Sequence, residues 1–390
     1  MRSSHAYLLF LGTLLTALGY GATFLLTEHF RSLGGSEINT GTTLGGAMIG
    51  TLIGVPLVGW FASRLGAARM ASFGAISVAA GYLGLAFITA LTPLTSVAGF
   101  FVGLGWGTFY LAAPMSLSVR VSDENRGFWF TRFGAYQMAG IGFSPILVSA
   151  LVSRLGLTTA QALEVVAAAC ILAAALLLSF EFVSLHKSES KVQSRWVGVL
   201  PALACTRAIY PILMVGLGAC VFSALMTFQT SLVRGTSLTA STYFAVYAIT
   251  VVIARFTLAP ILGRADGDRA ALTLLVLMTL GALLAFGLHY GIIVQVASAI
   301  LLGLGYGLVY SVIQTQVVND APAEHKNAAL TWFVIAYFLG IFGFPVFGGW
   351  MIVKFGTTVF LGVVVIFAFI ETMLARIRAS SPVTAGAKLT

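Results

Sequence analysis

Twelve apolar runs, each about 20 residues long, divide this 390-residue chain. A helix rising 1.5 Å per residue needs about that length to cross the ~30 Å hydrocarbon core of a bilayer. The runs cover roughly 6–27, 40–62, 71–91, 93–118, 132–153, 160–183, 209–233, 240–263, 270–289, 291–315, 327–350 and 355–375. Lipid offers no water to backbone N–H and C=O groups, so only helices and closed barrels span it. The alternating pattern of barrel strands is missing from these runs, which excludes the barrel. The fold class expected is an all-α polytopic membrane protein.

Composition agrees. Hydrophobic residues make up 59% and charged residues 8%, where a soluble domain carries roughly 25% charge. The first run is longer than the 7–15 apolar residues of a signal peptide, so it reads as a spanning helix. The net charge of +9 does not indicate nucleic acid, because Lys and Arg sit singly in short gaps instead of lining one solvated face. Counted gap by gap from an inside N-terminus, sixteen of the 21 fall on one side and four on the other, with Arg255 inside a run. That bias places both termini in the cytoplasm, with the cell inner membrane as the location. Cys170, Cys205 and Cys220 show no disulfide or metal spacing and are expected to be unpaired.

The second half repeats the first at an offset of 200 residues. Gly103-Leu104-Gly105-Trp106-Gly107 meets Gly303-Leu304-Gly305-Tyr306-Gly307, and Gly140-Ile141 meets Gly340-Ile341. Arg64, Arg69, Tyr110, Pro145 and Gly156 meet Arg264, Arg269, Tyr310, Pro345 and Gly356 without a gap. Six helices is an even number, so the two copies share one orientation and are related by an axis along the membrane normal. The expected domains are a six-helix bundle over 1–183, a cytoplasmic linker over 184–207, a second bundle over 208–378 and a disordered tail over 379–390. Lys187, Lys191, Arg195 and Trp196 suit the linker to an anionic membrane surface.

The loop from Gly59 to Arg69, with Gly59, Ser63, Arg64, Gly66 and Arg69, resembles the G-x-x-x-D-R-x-G-R/K-R loop of the major facilitator superfamily. Ser63 stands where the family usually has Asp. The segment from Arg255 to Arg264 looks like the second copy, with Gly263 at the Asp position. Gly103, Gly105 and Gly107 resemble the fourth helix of the family, though Gly99 replaces an Arg often found there. The resemblance implies two six-helix bundles and a gate built from Gly59, Ser63, Arg64, Gly66, Arg69, Arg132, Arg264 and Arg269. Gly140, Pro145, Gly340, Pro345, Gly348 and Gly349 are similar to the Gly/Pro motif of the family's exporters. Small residues permit close helix packing and Pro leaves a carbonyl unpaired, so these hinge or packing positions read either as an export signature or as ordinary tight packing.

Arg255 lies within a spanning run, where a charge costs at least ~2.5–3.5 kcal/mol. It is either a ligand for an anionic substrate or a gate residue bonded to carbonyls or an acid. Glu28 is the candidate for proton coupling, against a solvated helix end. Glu181 and Glu371 fall near run ends and read as interfacial. Arg132, beside Asp123, Glu124 and Arg126, reads as a gate ion pair or a membrane anchor. Tyr20, Tyr110, Gln137, Gln229, Tyr306, Tyr310, Gln314 and Tyr337 carry hydrogen-bonding groups on helices that the resemblance makes cavity-lining, so they are candidate substrate contacts.

No G-x-S-x-G, H-E-x-x-H or phosphate-loop motif is present, so an enzyme is not expected and neither cofactor nor metal is implied. The function expected is a secondary active transporter exporting a small organic molecule by alternating access, the halves rocking about a midplane site. The molecule could be a polar or anionic metabolite, a siderophore-like compound or a drug. Protons are the candidate coupling ion, the bilayer is the solvent, and the resemblance suggests a monomer. The rival readings are proton-coupled uptake of a small nutrient and a non-transporting membrane sensor or assembly partner.

Overall fold

The structure, a computed structural model, describes residues 3–183, 198–262 and 265–381. Helices α1 to α6 are Ser3–Ala22, Glu37–Leu65, Ala67–Phe87, Leu94–Ser118, Asp123–Leu155 and Thr159–Val183. A 3-10 turn, Thr23–Leu25, leads α1 into a further helix, Leu26–Ser32. Helices α7 to α10 are Ile209–Thr227, Ala240–Leu262, Gly267–Leu284 and Ile292–Asp320. From Lys326 the chain is helical to Ser380, with a π turn at Leu339–Gly343. Gly356 breaks that stretch with φ of +82°, where only glycine is free of a Cβ penalty. The break separates α11 from α12. Eleven apolar helical stretches are long enough to cross a membrane, and the last, of 58 residues, spans this break, which makes twelve crossings among the described residues. No strand occurs among the described residues.

The chain forms two compact units. The first takes in α1 to α6 with Pro345–Val353, and the second takes in the described residues from Gly198 to Phe344 and from Lys354 onward. Within the first, α4 packs on α2 and α3, and α1 on α5 and α6. Within the second, α10 packs on α8 and α9, and α7 on α11. The pairings of α4 with α2 and α3, and of α1 with α5, therefore recur in the second copy of the repeat. Of the expected linker, 184–197 lies outside the described residues, and Leu200–Ala204 is a short helix. Most of the expected tail, 382–390, also lies outside them, as do Gly263 and Arg264.

Lipid tails are as apolar as Leu, so close backbone contact and interhelical hydrogen bonds hold the helices together. Gly103 on α4 meets the backbone of Ala47 on α2, while Gly105 meets that of Gly74 on α3. A Cβ at either position would overlap main-chain atoms. Side-chain donors then reach neighbouring carbonyls. Tyr82 donates to Gly19 O at 2.5 Å, Ser72 to Ala174 O at 2.8 Å and Ser298 to Gly281 O at 2.8 Å. Capping follows the local sequence. Ser36 and Asn39 form a capping box at the start of α2, and Asp266 accepts from the N–H groups of Asp268 and Arg269 at the start of α9.

Those two N–H groups, Arg269 first, hold the Asp266 carboxyl below the usual carboxylate range. A depressed pKa stabilises above the unfolded value and is lost as pH falls through the folded one. The start of α9 should therefore fray first as pH drops below about 4, the ordinary range of Asp. Asp266→Asn keeps a capping oxygen and should remove that pH dependence in hydrogen exchange of residues 267–270; unchanged acid lability in this variant would count against the cap.

Pro345 has no N–H, so the carbonyl four residues earlier, that of Ile341, lacks its helical donor. Ser223 on α7 supplies one, donating to Ile341 O at 2.5 Å. Ser223→Ala should lower stability by about 1 kcal/mol, read as a drop in melting temperature of the detergent-solubilised protein. The loss should vanish in a Pro345→Ala background, where residue 345 regains its N–H. Equal losses in both backgrounds would refute the pairing.

Candidate functional site

In the first unit the candidate aromatic residues gather on α1 and α4. Tyr20, buried, stacks on Trp106 with ring centroids 4.7 Å apart and planes 9° from parallel. Tyr110 lies one turn along, 5.9 Å from Trp106. In the second unit Tyr306 on α10 stacks on Phe222 of α7 at 4.4 Å and 5°. Tyr310 packs edge-on against Tyr337 and Phe333 of α11, each at 5.2 Å. Trp106 and Tyr306 are repeat mates, so each unit carries one parallel stack between corresponding helices. The indole Nε1 of Trp106 is buried without a hydrogen-bond partner among the described residues.

The glutamines differ. Gln137 on α5 is buried and Gln314 on α10 is half-buried. Gln229, just past α7, is 0% exposed, and neither amide atom has a partner among the described residues. Such an amide has the donors and acceptors to recognise a polar molecule.

Arg255 on α8 directs its fork at one carbonyl. Nε and NH2 donate to Gly307 O on α10 at 3.3 and 3.1 Å. Of the two readings drawn from sequence, this geometry matches bonding to a neighbouring helix. Glu28 and His29 line a cavity of about 60 Å³ with Ser149, Ser153 and Thr159. Glu28 is exposed, while His29 is 2% exposed and its Nδ1 lies 3.1 Å from Thr159 Oγ1.

The loop between α2 and α3 sits against the ends of two other helices. Gly66 has φ of +92°, and a Cβ there would strike the Glu181 carboxylate. Glu181 accepts from Arg120 NH2 at 2.7 Å, and the Arg120 guanidinium lies 4.8 Å above the Phe180 ring. Arg69 lies over Phe182 at 5.7 Å, and Arg64 is exposed. Gly59 is half-buried, whereas the side chain of Ser63 lies outside the described residues. Arg132 covers the Phe128 ring at 4.3 Å; its expected neighbours Asp123 and Glu124 have side chains outside the described set.

The second unit has a larger ion cluster, which sequence reasoning missed. Arg378 donates to Asp320 at 2.7 Å and also pairs with Asp268. Arg207 donates to Arg378 O at 2.9 Å and lies 3.9 Å from Asp268. Arg269 is exposed, and Arg264 lies outside the described residues. Arg120 and Asp320 are repeat mates of opposite charge, a signal the sequence did carry.

One expectation is corrected. Glu181 lies in the last turn of α6, at a helix end, where it pairs with Arg120. Glu371, expected to be interfacial, is 1% exposed inside the second unit. The Gly/Pro motif is placed in tight contacts. Gly140 on α5 abuts Leu14 O and Ala17 of α1, and Gly340 on α11 abuts Gly216 O and Ala219 of α7. Within the first unit, Gly349 meets the Glu37 carbonyl and Gly41 that of Pro345. Pro145 lies inside α5 and Gly348 is buried.

The family profile described as Major Facilitator Superfamily matches residues 9–345. The chain belongs to that superfamily. Solved structures that share its fold include two transporters. One, described as an auto inhibited POT family peptide transporter, has 15% identity and a TM-score of 0.73, with 96% of each chain covered. The other, the D323A mutant of the nucleoside transporter NupG, has 16% identity and a TM-score of 0.76, with 96% of this chain and 99% of that one covered. None of the curated proteins compared with it matches in sequence. The loop between α2 and α3 thus rests against Glu181, whose charge partner is Arg120.

Removing one member of a half-buried ion pair at a helix end costs about 1 kcal/mol. Arg120→Ala should therefore lower the melting temperature of the solubilised protein. The exchange Arg120→Glu with Glu181→Arg should recover most of the loss, since the second unit already uses the reversed polarity. A double variant no better than the worse single would refute the pairing.

Proposed function

We propose that this superfamily member exports a small polar or anionic organic molecule by alternating access. The observation that carries the reading is the Gly/Pro motif on α5 and α11, whose Gly140 and Gly340 seat the two helices on α1 and α7. That motif resembles the one in the family's exporters. The proposed cargo contacts are Tyr20, Tyr110, Gln137, Gln229, Tyr306, Tyr310, Gln314 and Tyr337. Gln229, buried with an amide unmatched among the described residues, is the strongest of them. The related structures are named for peptide and nucleoside transport, which supports a polar organic cargo. Arg255, bonded to Gly307 O, acts as a clamp between α8 and α10. Protons are the proposed coupling ion, with Glu28 at its cavity as one carrier.

Metabolite profiling of cells with and without the gene, inside and in the medium, tests the direction. Export predicts a compound that accumulates inside the deletion strain and falls in its medium. A compound drawn from the medium only by cells carrying the gene would replace export by uptake. Arg255→Ala removes a charged hydrogen bond worth roughly 1.5–3 kcal/mol and should reduce the gene-dependent difference about tenfold or more, with protein still in the membrane. An unchanged difference would remove Arg255 from the working parts.

A further inference from the structure

Among the described residues, Glu371 is the one buried acid of the second unit that neither gate nor cargo contacts use. It lies on α12 nine residues before Ser380. It faces Gly218, nine residues after the start of α7 at Ile209. Both counts place it about 13 Å in from the helix ends that Arg207 and Arg378 join, close to the middle of a ~30 Å hydrocarbon layer. It is 1% exposed, and neither carboxyl oxygen has a hydrogen-bond partner among the described residues. Glycine is what lets it fit: a Cβ at Gly218 would come within 2.7 and 2.8 Å of the two carboxyl oxygens.

The surroundings offer no compensating charge. Helix α7 brings two titratable groups, Tyr210 in its first turn and the Cys220 thiol beside Gly218. Helix α9, joined to α12 by Thr279 and Thr372 at 3.1 Å, has charges only at Asp268 and Arg269 in its first turn. On α12 itself the cations are Arg376 and Arg378, and Arg378 is engaged by Asp268 and Asp320. A bare carboxylate in hydrocarbon is costly and a neutral acid far less so.

We propose that Glu371 is a proton-binding site of the second unit. It holds a proton while α12 packs on Gly218 and releases it to water when that contact opens, so that proton release is tied to movement of α12 against α7. This rests on the transporter reading but not on the direction of transport or the cargo.

Dicyclohexylcarbodiimide, an apolar reagent for protonated acids, tests the site in the full-length protein in membranes. The carboxyl proton passes to a reagent nitrogen, the carboxylate oxygen adds to the central carbon, and rearrangement leaves a stable N-acylurea that peptide mass mapping locates. The expected result is an adduct on Glu371 near neutral pH in wild type and in Glu28→Gln, and none there in Glu371→Gln. Its yield should fall about tenfold per pH unit above the acid's midpoint. No Glu371 adduct at any pH would overturn the proposal, as would a yield that is flat with pH. In cells, the gene-dependent metabolite difference should respond to a protonophore in wild type and not in Glu371→Gln. A variant that responds like wild type would overturn the coupling role. If wild-type cells show no difference at all, the transport reading fails while the adduct still decides the proton site.

Discussion

Hydrocarbon supplies no hydrogen bonds, and most of the polar chemistry of this chain follows from that. Each carbonyl that loses its helical donor needs another. Pro345 leaves Ile341 O free, and Ser223 on the neighbouring helix takes it. Arg255 shows the same logic for a cation inside a spanning helix. It donates to the backbone carbonyl of Gly307 on the next helix. Ion pairs appear where water is near, at helix ends, as with Arg120 and Glu181 or Arg378 and its two aspartates. Glu371 departs from this pattern, which is why it reads as working machinery and not as scaffold.

The second constraint is distance. Without a hydrophobic drive between helices, contact depends on how closely backbones approach. Alternate glycines on α4 serve two neighbours, Gly103 facing α2 and Gly105 facing α3. The stacked rings sit on the same helices, Trp106 one residue after Gly105 and Tyr306 one residue after Gly305. Close packing and aromatic placement therefore come from one short segment, copied once.

The helices were legible because the length of an apolar run fixes a spanning helix almost alone, and the gap between 350 and 355 anticipated the Gly356 break. The repeat was legible because packing glycines tolerate little substitution at a close contact. Partners were not legible. The carbonyl that holds Arg255 has no sequence signature, and the acid that holds Arg120 lies 61 residues away on another helix. Glu371 was misplaced for a definite reason. Reading α12 as ending near 375 put this acid one turn from water. The helix runs on to Ser380, because Arg378 ends not in solvent but between Asp268 and Asp320. Two cations that looked like a loop are part of the helix, and the acid is two and a half turns inside.

The reversed polarity of the two end clusters has a physical reading. In the first unit the cation follows α4 and the acid is in the last turn of α6; in the second, the acid ends α10 and the cation is in the last turn of α12. All four positions lie at helix C-termini, where the dipole favours a cation and disfavours an anion. Each pair therefore sets one favourable charge beside one unfavourable charge, whichever helix carries which. Exchanging them leaves the dipole balance and the Coulomb attraction nearly unchanged. Close packing offers no such freedom, because a Cβ at Gly103 or Gly105 meets main chain. The backbone contacts could thus stay in register after duplication while the charges that close the helix ends changed hands.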